Sequence, residues 1–386
     1  LALPFFDDVH RELGPRLADW ICAQRVDESD DRRACREWVK LLGDSGWLRY
    51  CVPAGNEGAL GGALDKLDSR ALVILRETLA FHSPLADFAF AMQGLGSGAI
   101  TLAGTPAQQA AYLPQVASGE KIAAFALSEA DAGSDAGAMT TRATQTSDGW
   151  AINGSKTWIS NGGIADFYVT FVKTDLDAGT RGITAFIIDA TTPGLDSSEH
   201  IAVMAPHPLA TLRFTDCRLA EATQLGALNG GFKLAMQTLD IFRASVAGAA
   251  LGMARRALLE AVQHAQTRKM FGQTLGDFQL TQAKLGEMAA LVDAAALLTY
   301  RAAWLRDEGE RQGKPVRVTA EAAMAKMLAT ENAQRVIDMA LQMHGGLGVK
   351  VGTKVESLYR DIRSLRIYEG ATEVQQLIIG KAVLQS

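Results

Sequence analysis

Cysteine is scarce in this chain: there are four in 386 residues, and Cys22, Cys35, Cys51 and Cys217 stand too far apart for a CxxC pair. That spacing argues against a disulfide framework or a structural zinc site and fits a reducing, cytoplasmic setting. Histidine is sparse too. The six imidazoles never fall at HxxxH or HExxH spacing, so no metal is expected. A basic excess is missing: 38 Lys and Arg against 43 Asp and Glu leave a net charge of −5, with no field for a nucleic-acid backbone or anionic lipid. The longest uncharged stretch, Phe88 to Gly119, is broken by Gln93, Pro106 and Pro114, so it falls short of the roughly 20 apolar residues of a membrane span. Residues Leu1 to Arg16 contain Pro4, Asp7, Asp8 and Glu12, which suits neither a secretory signal nor an acid-poor transit peptide.

Several signature loops are also lacking. No GxGxxG follows a strand and opens a helix, and there is neither a GxxxxGK[ST] nor a GxSxG, so dinucleotide, P-loop and serine-hydrolase chemistry have no anchor. No repeat or low-complexity tract appears. The small-residue run Gly94-Leu-Gly96-Ser-Gly98 reads as a site of close helix packing.

What is present is ordinary globular material, 48% hydrophobic and 21% charged, in three stretches of different periodicity. Residues 1–121 read as helices joined by Pro/Gly breaks, with Leu72, Leu75 and Leu79 at three- and four-residue steps. Residues 122–228 change to short β-branched and aromatic runs, Gly149 to Gly154, Phe167 to Val172 and Ile183 to Ile188. Asp148-Gly149, Asn153-Gly154, Asn161-Gly162 and Pro193-Gly194 read as turns. Residues 229–386 return to the helical period: a long buried helix through Leu239, Phe242, Val246, Ala250 and Met253, then amphipathic runs from Phe278 to about Glu308 and Arg317 to about Met343.

One polar loop stands out, Phe125-Ala-Leu-Ser-Glu-Ala-Asp-Ala-Gly-Ser-Asp135, entered from an apolar strand. Backbone N–H groups and hydroxyls at Ser128, Gly133 and Ser134 are suited to hold phosphate or ring heteroatoms; a solvated turn is the plain alternative. Together with Lys156-Thr-Trp-Ile-Ser-Asn-Gly162, Arg268-Lys-Met-Phe-Gly272, Gln342-Met-His-Gly-Gly346 and Tyr368-Glu-Gly370, all in one order, it resembles the acyl-CoA dehydrogenase family. The resemblance implies a mainly α, α+β fold: an N-terminal helical domain, a middle β-barrel-like domain and a C-terminal four-helix bundle. It further implies noncovalent FAD and a homotetramer built as a dimer of dimers. The activity implied, in fatty acid metabolism, is α,β-dehydrogenation of an acyl-CoA to trans-2-enoyl-CoA with electrons passed to an electron-transfer flavoprotein. An acyl-CoA oxidase using O₂ and a noncatalytic flavin-binding member are the rival readings, with a flavin-free helical interaction protein further off.

Carried over residue by residue, the resemblance places Phe125, Leu127, Ser128, Gly133 and Ser134 around flavin and substrate, and Trp158, Ile159 and Ser160 against the isoalloxazine. An aromatic face covers a flat ring, and a donor at N5 tunes its hydride affinity. Arg268, Phe271 and Gln279 resemble residues that reach the FAD of a neighbouring subunit, together with Gln342, Met343, His344, Gly345 and Gly346. Thr372 and Glu373 fall in the cofactor set as well. Glu369 is the implied base, with its amide at the thioester carbonyl; Ser134, Asp240, Arg243 and Gly370 are implied substrate contacts. The family's alternative base position, just before the arginine matching Arg243, holds Phe242, which takes no proton. Asp87 falls where glutaryl-CoA dehydrogenases carry a carboxylate-binding arginine, so a dicarboxylate tail is disfavoured; a solvated helix-face charge is the other reading. Phe88 and Phe90 either narrow the acyl pocket or pack in the core. The chain departs from the family pattern at Ser128, Ala130 and Ala371, and Met204-Ala-Pro-His-Pro-Leu209 lacks its usual Arg. A short, branched or cyclic acyl group is the expected substrate.

Overall fold

Helix ends follow local chemistry in the computed structural model, which describes residues 3–314 and 316–385. After α1 (Asp8–Cys22), α2 (Asp31–Asp44) opens where the Asp30 carboxylate accepts the amides of Arg32 and Arg33. Helices α3 (Ser69–His82) and α4 (Pro84–Ala103) follow; α5 (Pro106–Ser118) opens on a Thr105/Gln108 capping box with Pro106 in its first turn, and stops at Gly119.

The chain then turns to strands: β1 (Ala123–Ala126), β2 (Arg142–Gln145), β3 (Gly149–Ser160), β4 (Phe167–Lys173), β5 (Ile183–Asp189), β6 (Leu195–His200), β7 (Leu209–Ala220) and β8 (Gln224–Leu225). They form one sheet in the order β6-β7-β3-β2-β4-β5-β8, with β1 added in parallel to β4. The runs at Phe167 and Ile183 form strands as expected. Asn153-Gly154 does not turn the chain: it lies inside β3, at a shift of register against β7, so the NG pair marks a bulge. A second shift separates Lys156 from Ile159 and frees Trp158 from regular pairing.

Beyond the sheet come α6 (Gly231–Thr267), the small ribbon β9 (Lys269–Met270) and β10 (Gln273–Thr274), then α7 (Gln279–Arg311), α8 (Thr319–His344), α9 (Lys354–Leu365) and α10 (Thr372–Gln385). Two compact units emerge: residues up to Arg25, Ser69–Asp87 and everything from Arg243 onward form one, and Val26–Asp68 with Phe88–Phe242 the other. In the first, α8 is the hub against which α7, α9 and α10 pack. Buried charges fasten it: the Asp307 carboxylate on α7 accepts the Ser69 and Arg70 amides at the start of α3 (2.8 and 2.9 Å) and pairs with the Arg70 guanidinium at 3.2 Å. Among the described residues α7 is long and apolar enough, by length and composition, to cross a membrane. Charges such as Lys284, Asp293 and Arg301 interrupt its apolar residues, and α7 packs against α3 and α8. In the second unit the glycines of α4 act as expected: a Cβ on Gly94 would meet the Phe242 ring at 2.6 Å.

Candidate active site

Glu369 lies in the short loop from α9 to α10, and its backbone is held at φ +53°, a left-handed conformation that costs a non-glycine residue on the order of 1–3 kcal/mol. Such strain persists only where surrounding groups enforce it. Two fully buried side chains do so. Lys326 on α8 donates from Nζ to the Gly370 carbonyl at 2.8 Å, and Gln375 on α10 donates from Nε2 to the same oxygen at 2.8 Å and to the Glu369 carbonyl at 3.3 Å. Gly370 itself has φ +92°, and a Cβ there would lie 2.5 Å from that Nε2, so the position admits only glycine without rearrangement. Glu331 finishes the loop by accepting from Arg366 Nε (2.8 Å) and the Thr372 hydroxyl (2.6 Å). The Thr372 hydroxyl, expected at the cofactor, is thus engaged with Glu331; Glu373 is exposed.

The carboxylate is the unusual part. Although the residue keeps some exposure overall, Glu369 Oε2 is buried and has no hydrogen-bond partner among the described residues. Desolvation raises its pKa, opposed by the positive charges of Arg76, Lys326 and Arg243, while Asp87 adds to the rise. Asp87 is therefore not the solvated helix-face charge that was one reading of it. It is 2% exposed and clamps Arg76 in a fork, at 2.8 Å to Nε and 2.9 Å to Nη2, with Ser245 taking Nη1 at 3.0 Å. Arg243, an expected substrate contact, is buried; Asp240 is half-buried.

The second unit carries the other constellation. The loop after β1 is stitched to β3 by a buried ion pair, Lys156 Nζ to Glu129 at 2.8 Å, with Lys156 also donating to the Leu127 carbonyl at 3.0 Å. Glu129 further accepts the Thr140 and Thr141 amides at 2.6 and 3.0 Å. Burial pushes its carboxyl up, but Lys156 and these donors win and hold it at about 2. Burial brings the Lys156 ammonium down to about 8 against the pull of Glu129, so at neutral pH both partners are ionised. Directly after this anchor stands Trp158, at φ +60° and 57% exposed, with Ile159 buried beside it and Ser160 half-buried. That exposure sets aside a core-packing role for the indole. Ser128 is half-buried; Gly133 and Ser134 are exposed, and a Cβ on Gly133 would meet nothing within 4 Å. Phe125 rests on Phe171 at 4.9 Å, and Leu127 is buried. Phe88 is buried with its ring tilted against half-buried His207, the centroids 3.6 Å apart, and Phe90 is buried, so both phenylalanines serve the core of this unit. Open backbone, hydroxyls and a presented indole face suit a flat ring bearing polar edges.

The remaining expected cofactor residues lie at the surface. Arg268 and Gln279 are exposed, and Phe271, on the β9–β10 turn, is 87% exposed at φ +49°. Gln342, Gly345 and Gly346 are exposed at the end of α8, with Met343 and His344 half-buried. His344 stacks on His264 at 4.2 Å, a pairing that linear spacing did not suggest. Among the described residues no group of His, Cys, Asp or Glu side chains could hold a metal. Sequence reading passed over Arg76, Lys326 and Gln375. A signal existed for Lys326, which falls on the stripe Ala322, Ala325, Ala329 and Ala333 that faces inward along α8.

Fold and site together define a flavoenzyme of the acyl-CoA oxidoreductase class. The chain belongs to the acyl-CoA dehydrogenase family, whose N-terminal, middle and C-terminal domain models match residues 9–120, 124–217 and 229–384. It is 38% identical to the 3-(aryl)acrylate reductase of Clostridium sporogenes over 99% of this chain and 100% of that protein. It is also 38% identical to a subunit of the caffeyl-CoA reductase–Etf complex of Acetobacterium woodii, over 98% and 96%. The structure of butyryl-CoA dehydrogenase from Megasphaera elsdenii superimposes with a TM-score of 0.89 at 33% identity, covering 98% of this chain and 99% of that one.

Proposed function

We propose that the protein interconverts an acyl thioester and its trans-2-enoyl counterpart, with Glu369 as the base and FAD as the cofactor. The observation that carries this reading is the buried, unpartnered Oε2 on a strained and clamped loop. An α proton beside a thioester is weakly acidic. A carboxylate stripped of water is a stronger base than one in solvent, and the cations Arg76, Lys326 and Arg243 oppose that rise in part. FAD, when bound, supplies the acceptor for the β hydride. Trp158, Ile159, Ser160 and the Ser128–Ser134 loop would hold its ring; Arg268, Phe271, Gln279 and Gln342 to Gly346 would meet the FAD of a neighbouring subunit. A homotetramer accounts for the exposure of Phe271, Leu280, Val351 and Leu384 in a single chain.

The same residues serve the reverse direction, in which protonated Glu369 returns a proton to the α carbon. The relatives named as reductases favour testing it, and the Etf complex among them supports an electron-transfer flavoprotein as partner. We propose a short or aryl-substituted acyl group, and a cytoplasmic enzyme of fatty acid or related carboxylic acid metabolism. Anaerobic bleaching of the bound flavin should be followed across short-chain, branched, aryl-propionyl and long-chain acyl-CoAs. Strong bleaching is expected with the first three and not with long chains. Stoichiometric peroxide without a flavoprotein acceptor would instead make the protein an oxidase, and no bleaching with any thioester would reject the reaction.

A further inference from the structure

Three cationic side chains, Arg76, Lys326 and Arg243, act on the charge of the base, and Lys326 also touches its loop. Lys326 is 0% exposed, on the inward stripe of α8, and spends an N–H on the Gly370 carbonyl at 2.8 Å, one peptide from Glu369. A buried lysine is costly and can lose its proton, so a helix whose buried face is otherwise uncharged and mostly alanine would be more stable with an apolar residue there. Gln375 already satisfies the same carbonyl at 2.8 Å, so hydrogen-bond accounting alone does not require the lysine. What Gln375 lacks is charge.

Resting on the reading of Glu369 as base, we propose that Lys326 is a positioning residue for the reaction: its ammonium holds the Glu369-Gly370 backbone in its left-handed conformation and sets the proton affinity of the neighbouring carboxylate. The groups that act on Glu369 are Arg76 on α3, Arg243 on α6, Lys326 on α8 and, opposing them, Asp87 on α4. Asp87 forks Arg76, which compensates part of that charge, while Lys326 has no carboxylate within salt-bridge distance among the described residues. Burial lowers the Lys326 pKa to about 8, Glu369 being the largest influence that pulls it back up, so the ammonium is mainly charged at neutral pH. Glu331 and Glu373 contribute smaller pulls of the same sign, and Arg243 opposes them.

The test uses the FAD-loaded enzyme and stopped-flow flavin reduction between pH 5 and 9. Lys326→Met keeps the side-chain volume and removes donor and charge. It should retain flavin and substrate affinity, move the acid limb of the reduction rate up by about one pH unit, and lower the plateau by up to about 10²-fold as the loop loses its geometry. Lys326→Arg should restore the position of the acid limb even if packing costs some rate. Lys326→Gln is read as Lys326→Met is, should the methionine variant not fold. An unmoved acid limb in a folded, flavin-loaded Lys326→Met or Lys326→Gln protein would overturn the proposal. So would a limb that moves equally in Lys326→Arg. The base reading stands or falls separately, on whether Glu369→Gln abolishes reduction.

Discussion

Glu369→Gln is expected to bind FAD with an unchanged spectrum and to lose substrate-dependent bleaching by several orders of magnitude. The substitution is nearly isosteric and replaces one buried oxygen with an amide nitrogen, so the loop clamped by Lys326 and Gln375 should keep its shape. What disappears is the only group on that loop able to take the proton, and removing an indispensable base exceeds the roughly 10²–10⁴-fold usually credited to proton transfer alone. A fall in rate with unchanged substrate affinity locates the loss in the chemical step. A reduction rate within tenfold of the wild type would remove Glu369 from the mechanism.

Asp87→Asn should produce the largest loss of stability of any single change near the site. Arg76 and Asp87 are both about 2% exposed, and the fork leaves the guanidinium fully charged in a place water does not reach. Removing one partner of such a pair costs about 3–5 kcal/mol, because the remaining charge stays buried without its counter-ion. Urea unfolding of the flavin-loaded protein reads this directly. The double variant Arg76→Met, Asp87→Leu should recover most of the loss, since replacing a buried pair by apolar groups is often neutral. A functional sign accompanies the single change. Asp87 raises the Glu369 pKa, so its removal should bring the acid limb of flavin reduction down in pH, the opposite of the shift expected for Lys326→Met. A limb that stays in place, or unfolding unchanged within about 0.5 kcal/mol, would count against the network.

Much of this was legible along the chain because local chemistry carried it. Short runs of β-branched and aromatic residues announced β4 and β5, three- and four-residue steps announced α6 to α8, and Tyr368-Glu-Gly370 marked the proposed base by its neighbours. The environment of that base was not legible. Arg76, Asp87, Lys326 and Gln375 come from four helices spread over 300 positions of sequence, and nothing in the spacing of charges says which will meet in the interior. Asp87 illustrates the difficulty: its place in the chain suggested an effect on substrate tails, and its partner turned out to be an arginine eleven residues earlier, 2.8 Å away. Asn153-Gly154 failed for a different reason. The dipeptide permits a turn and a bulge equally, and the long pairing of β3 with β7 selects the bulge.

The central claim is that Glu369 moves the α proton, and proton exchange measures that without reference to hydride transfer. The FAD-loaded enzyme should be incubated in D₂O with an acyl-CoA analogue blocked against loss of its β hydrogen, and deuterium at the α carbon followed by mass spectrometry. The wild type is expected to exchange the α position readily, and Glu369→Gln to exchange no faster than the free thioester. Exchange at wild-type rate in that variant would show that another group removes the proton.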